Sequence, residues 1–202
     1  MSILNSLLLK TSSVKKICIS FVASHLVLLL MWLFTLSVIN DQIGTQVFDL
    51  QTFGYDFSVA ESIVDNLNNE TTALYLFPQL TLLDVLYPFL MALFLSSLLF
   101  RLFKITKTTS KVSSILLVIP FLAMIFDYAE NICVILMITK SIQISETMVL
   151  LSSTFTVLKG VLTSIAWMAI LVYAIKWFGI KIIERNKNQT MAHHPKSSGN
   201  KF

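Results

Sequence analysis

Asp127, Glu130 and Asn131 stand at i, i+3 and i+4 in the otherwise apolar run ILLVIPFLAMIFDYAENICVILMI, residues 115–138. On a helix that spacing puts all three side chains on one face. A charge at bilayer depth costs about 2.5–3.5 kcal/mol on insertion scales, so it is rarely kept there without a partner or a use. Two carboxylates this close in a low dielectric disfavour double ionisation, and strong coupling makes them titrate as a pair. Lys159, in a later apolar run at a similar expected depth, is their natural counter-charge. Ser152, Thr156 and Thr163 form a polar stripe around it at helical spacing, with Trp167 one turn beyond. Asp84 opens another apolar run, with Tyr87 and Pro88 on its face. Ser20, Ser24 and His25 belong to the inner half of the first run, too deep to reach Glu130 directly.

Formal charges do not balance in this set. Asp84, Asp127 and Glu130 oppose only Lys159, leaving an excess of two negative charges for protons, water or a bound cation to offset. Asp84, Asp127, Glu130, Asn131 and Lys159 are therefore the ligand- or ion-binding candidates, with Tyr87, Thr156 and Thr163 secondary. The competing reading is mechanical. Interhelical hydrogen bonds in membranes average about 0.6 kcal/mol and can simply join helices, and hydroxyls can bond back to their own helix carbonyls.

The elements that must position these groups are four apolar runs of spanning length: 17–39, 80–102, 115–138 and 148–177. The fourth exceeds the need and is expected to tilt or to pass the interface. The first follows Lys10, Lys15 and Lys16 and is too long for a cleaved signal, so it reads as an uncleaved anchor. Basic residues orient the chain. They crowd residues 1–16, the 103–114 connection and the 178–202 polar tail, whereas 139–147 holds only Lys140 and 40–79 holds none. Both termini are thus expected to be cytoplasmic, with 40–79 outside. Within that outer segment Ser58 and Glu61 match a capping box. Val59, Ile63, Val64 and Leu67 then predict a short amphipathic helix at about 58–68, lying across the outer mouth of the bundle or in the headgroup region, with Gly54 making the turn before it. Asn69-Glu70-Thr71 is a glycosylation sequon, relevant only in a eukaryotic secretory route. The fold class is all-α, an integral-membrane four-helix bundle with an outer amphipathic helix.

Composition supports that class. Hydrophobic residues make up 55% of 202 and charged ones 13%, against roughly a quarter in soluble domains, and mean hydropathy is +0.78. The net charge of +4 comes from lysines and arginines that flank apolar runs, which excludes a nucleic-acid partner. Cys18 and Cys133 fall towards opposite faces of the bilayer and are not expected to pair. There is no Cys/His metal spacing; His193-His194 lies in the polar tail, and neither metal nor cofactor is expected.

Phe48-Asp49, Phe53-Gly54-Tyr55, the helix start at Ser58, Leu83-Asp84 with Tyr87-Pro88, FDYAEN and Thr156-Val157-Leu158-Lys159 together resemble a group of small four-helix membrane proteins common in bacteria. That group carries an Asp-x-x-Glu-Asn signature in its third span and a Thr-x-x-Lys-like motif in its fourth. The likeness covers most of the chain outside its tails and implies a bacterial inner-membrane location. It brings no activity with it. The chain departs from the group at 66–72, where a Gly-containing turn with an arginine is expected, so the outer lid should differ in shape.

Three functions compete. The first is binding, or assistance in transport, of a cation, proton or small amphiphile in an outward-facing pocket, by a homo-oligomer or an accessory subunit of a larger membrane complex. Four helices with no internal repeat are few for a complete alternating-access transporter. The second is an intramembrane enzyme acting on a lipid-like substrate, with Glu130 or Asp127 as acid or base and Lys159 opposite developing negative charge. No nucleophile–base pair, metal motif or phosphate loop supports it. The third is a structural or partner-binding protein whose buried charges only hold the bundle.

Overall fold

The computed structural model describes residues 3–193, in which all regular structure is helical. Its helices are α1 (Ile3–Thr11), α2 (Val14–Ile43), α3 (Phe57–Asn66), α4 (Asn69–Ile105), α5 (Lys111–Ile138) and α6 (Glu146–His193). Helices α2, α4, α5 and α6 are long and apolar enough to cross a membrane. Their outward faces carry exposed Val22, Phe34, Ile125, Ile132 and Met168, a larger apolar surface than a monomer in water tolerates. The expected polar tail is helical as far as His193; His194 and the rest of it lie outside the described residues. Cys18 is exposed, Cys133 buried, and both are free.

Helix α4 is the central element, packing against α1, α2, α5 and α6, while α5 and α6 form a closely packed pair. Helices α2 and α6 do not pack closely on one another. Ser96 Oγ donates to Leu117 O at 3.0 Å between α4 and α5, and Thr11 meets Ser97 at 2.7 Å between α1 and α4.

Two apolar clusters fill the interior. One, at the α1 end, gathers Leu8, Leu95, Leu99, Phe103, Leu117 and Ala166. The other, beneath the 44–56 segment, gathers Met31, Ile39, Phe48, Ile63, Tyr75 and Met137. Asp84 on α4, Asp127 and Glu130 on α5 and Lys159 on α6 occupy the layer between these clusters. Two helices are irregular beside that layer. Helix α2 widens into a π-type turn at Trp32–Leu36, where Thr35 Oγ1 donates to Gln79 Oε1 of α4. Helix α4 breaks at Phe77, whose extended backbone (φ −140°, ψ 126°) precedes Pro78; a proline disfavours helical geometry in the residue before it.

Between α2 and α3 the chain folds back over the helix ends. Gly44 ends α2 in a left-handed conformation (φ 71°), and one turn at Phe48–Leu50 buries Phe48 completely. Gly54 (φ 88°) then brings the backbone against α6: a Cβ there would lie 2.6 Å from Ser153 Oγ. Tyr55 N donates to Ser153 Oγ at 2.9 Å and Tyr55 OH to Ser152 Oγ at 2.6 Å. Burial pushes the Tyr55 phenol up, so it remains a neutral donor.

The lid helix starts from a different cap than expected. Asp56, not Ser58, caps α3, accepting from Val59 N at 2.9 Å, and Ser58 Oγ donates to the same Asp56 oxygen at 2.7 Å. These bonds, Val59 N–H foremost, hold the Asp56 carboxyl below its usual range. The 66–72 stretch is a second helix start: Asn68 and Thr71 form a capping box and Thr71 is buried. The sequon's hydroxyl is thereby tied into the fold. Gly54→Ala should destabilise the protein by on the order of 1–2 kcal/mol from backbone strain alone, before any clash. Thermal melting in detergent, with Gly44→Ala (open space around its Cβ) alongside, checks this: Gly54→Ala should melt clearly earlier of the two.

Candidate functional site

Helices α5 and α6 run antiparallel in contact, so Lys159 reaches the i, i+3 acid face of α5. Lys159 Nζ lies 2.6 Å from Asp127 Oδ1 and 2.7 Å from Glu130 Oε2. One ammonium thus bridges two carboxylates a turn apart. Glu130 is 1% exposed, and its oxygen meets the ammonium as a close ion pair rather than an aligned hydrogen bond. Asn131 Nδ2 donates to Asp84 O at 3.4 Å and Tyr128 OH to Val85 O at 2.8 Å. These two bonds join α5 to the point where α4 resumes after its break, and they set Asp84 beside Asp127.

A fourth carboxylate arrives from the lid. Tyr75, fully buried on α4, donates its hydroxyl to Asp49 Oδ2 at 2.6 Å. Asp49 is so placed that its carboxyl faces that of Asp84. Asp84 is 4% exposed and Asp127 9% exposed, and Asp84 Oδ2 and Asp127 Oδ2 meet no hydrogen-bond partner among the described residues. Unpaired buried acceptors of this kind are uncommon in folded proteins and call for an explanation.

These groups close one end of a cavity of about 400 Å³, within the size range of small-molecule sites. Asp49, Asp84, Asp127 and Lys159 line its polar end. The remaining wall is mostly apolar, with Leu28 and Met31 from α2, Leu95 from α4, and Ala123 and Met124 from α5. Along α4 the lining runs from Asp84 to Leu95, about 16 Å at the helical rise. The cavity lies between α2 and α6, the pair that does not pack closely, with α4 and α5 behind it and Leu50 and Thr52 of the lid above.

The structure divides the sequence candidates. Asp84, Tyr87, Asp127, Lys159 and Thr163 line the cavity. Glu130 and Asn131 do not: the first lies behind Lys159, and the second bonds α4. Thr156 is buried and donates back to Ser152 O of its own helix at 3.2 Å. His25 donates from Nδ1 to Phe21 O at 2.8 Å, and its ring packs at a tilt against that of Phe21. Trp167 packs on Phe94. Asp49 is the addition: in sequence it was one of several acids in the outer segment. The signals that mark it are its place directly after the apolar pair Val47-Phe48 and the Phe48-Asp49 pair among the motifs of the resemblance. Among the described residues no three His, Cys, Asp or Glu side chains are arranged to hold a metal ion.

Compared with known proteins, the chain matches no family model, no curated protein and no solved structure.

Removing the shared cation should cost more than removing either acid. Lys159→Met leaves two buried carboxylates unopposed, a loss on the order of 3–5 kcal/mol for a broken buried pair. Glu130→Gln combined with Lys159→Met should recover part of that loss. Melting of the single and double variants in detergent measures the coupling, and additive losses would contradict it.

Proposed function

We propose that the protein is a membrane-spanning four-helix bundle that binds a small single-chain amphiphile in the cavity between α2 and α6. The carrying observation is one cavity with two ends: an apolar wall that runs about 10 Å along α4 from Pro88 to Leu95 and a cluster of buried charges closed over by the lid. Orientation follows the lysine and arginine bias, with the N-terminal end and the distal end of α6 cytoplasmic and the lid outside. A bacterial inner membrane suits the resemblance to small four-helix proteins with the Asp-x-x-Glu-Asn signature. The loosely packed side between α2 and α6 then faces lipid, so an amphiphile dissolved in the bilayer enters sideways and its headgroup meets the charged layer beneath the lid.

Other readings explain less. The Lys159 bridge favours a structural role for Glu130 and for one oxygen of Asp127, and that role is part of the proposal. It leaves Asp49, Asp84 and the cavity unused. An enzyme would require a nucleophile or a base paired with a proton carrier at the cavity. Of the hydroxyls that line it, Thr52 donates to Leu50 O at 3.3 Å and Ser164 to Gly160 O at 2.8 Å, and neither bonds a base.

Ala123, 7% exposed on the cavity wall, tests the reading. Ala123→Phe should fill the apolar part and abolish co-purification of an amphiphile that organic extraction and mass spectrometry detect with the wild type. Equal recovery from Ala123→Phe, or no amphiphile from either protein, would contradict it.

A further inference from the structure

We infer that the cavity selects amphiphiles whose headgroup is a protonated amine, with Asp84 and Asp127 receiving the ammonium and Asp49 closing over it from the lid. The inference rests on the amphiphile reading above and names its ligand class.

The polar end of the cavity offers acceptors. Its one cation, Lys159, already spans Asp127 Oδ1 and Glu130 Oε2 at 2.6 and 2.7 Å and so has its charge satisfied from within the protein. Asp84 Oδ2 and Asp127 Oδ2 are left without donors, on buried residues (4% and 9% exposed) that line the cavity. Asp49 adds a further carboxylate, whose other neighbour is the Tyr75 hydroxyl. Four acids therefore stand against one lysine, a formal excess of three negative charges in a layer enclosed by two apolar clusters. A headgroup that brings positive charge and N–H donors together offsets this excess and meets both orphan oxygens at once. An ammonium supplies both, and charge-assisted hydrogen bonds to carboxylates are among the strongest available.

The same inventory rejects the alternatives. A carboxylate, sulfate or phosphate headgroup would add an anion where three acids already face the cavity. An alcohol would donate one hydrogen bond and leave the charge excess in place. A quaternary ammonium carries charge without N–H donors and would leave both orphan oxygens unpaired. A zwitterionic phospholipid brings a phosphate with its amine, and its two chains exceed one narrow slot of about 400 Å³. A bare metal ion lacks a converging set of three ligands among the described residues.

The full chain in phosphatidylcholine nanodiscs, where the bilayer contributes no primary amine, is titrated with dodecylamine, dodecanoate, dodecanol and dodecyltrimethylammonium. Dodecylamine should raise the thermal midpoint by about 5–10 °C at a hundredfold excess over Kd, and the other three should not. Asp84→Asn should weaken dodecylamine binding about tenfold or more. Asp49→Asn, at a half-buried lid position, should weaken it in the same sense and guards against misfolding of the Asp84 variant. Equal stabilisation by dodecanol or dodecyltrimethylammonium would overturn amine selection while leaving amphiphile binding standing. No stabilisation by any of the four would overturn both, and undiminished binding in both variants would remove the assigned acceptors.

Discussion

One lysine ammonium held between two carboxylates, away from bulk water, is the constraint on which the rest of this structure depends. Lys159 can meet Asp127 and Glu130 at once only if α5 and α6 pack closely with their polar faces in register. That demand sets the closest helix pair in the molecule. Helix α4 then has to break at Phe77 and resume at Asp84, so that Asn131 and Tyr128 of α5 can bond its backbone. The two apolar clusters close above and below this layer. The ion bridge thus positions side chains that it does not itself touch.

What the bridge leaves over is as informative as what it satisfies. Glu130 is spent on Lys159 and lies behind the cavity. Asp127 is divided, one oxygen on the lysine and one towards the cavity. Asp84 and Asp49 have no cation of their own. A protein selected only to hold helices together gains nothing from these extra acids, since a buried polar group without a partner is destabilising whether or not it is ionised. They are placed where an apolar slot ends, under a segment pinned by Gly54 and Tyr55 to the same helix that carries Lys159. Stability given up at one spot for the sake of a ligand is the usual signature of a binding site.

Much of this was legible from the residues alone, for identifiable reasons. Long apolar runs define the helices because length and hydropathy are local properties. The i, i+3, i+4 pattern places Asp127, Glu130 and Asn131 on one face, and one basic residue at matching depth names their partner. Periodicity says which residues share a face; it does not say what lies opposite. So Glu130 and Asn131 looked equivalent to Asp127, although only Asp127 reaches the cavity. Thr156 looked like part of a polar stripe and instead bonds its own helix. Asp49 was hidden because its position depends on the fold of the lid and on Tyr75, both remote in sequence. The cap of α3 was displaced by two residues because Asp56 and Ser58 are both competent caps, and the turn at Gly54 decides between them.

The most direct test of a site kept at the expense of stability is the melting temperature of Asp84→Asn in detergent without added amphiphile. If Asp84 is an unpaired acid retained for a ligand, neutralising it at constant shape should raise the midpoint above that of the wild type. A midpoint below the wild type would mean that the Asp84 charge is itself part of what holds the helices together, and the binding-site interpretation would fail at its central residue.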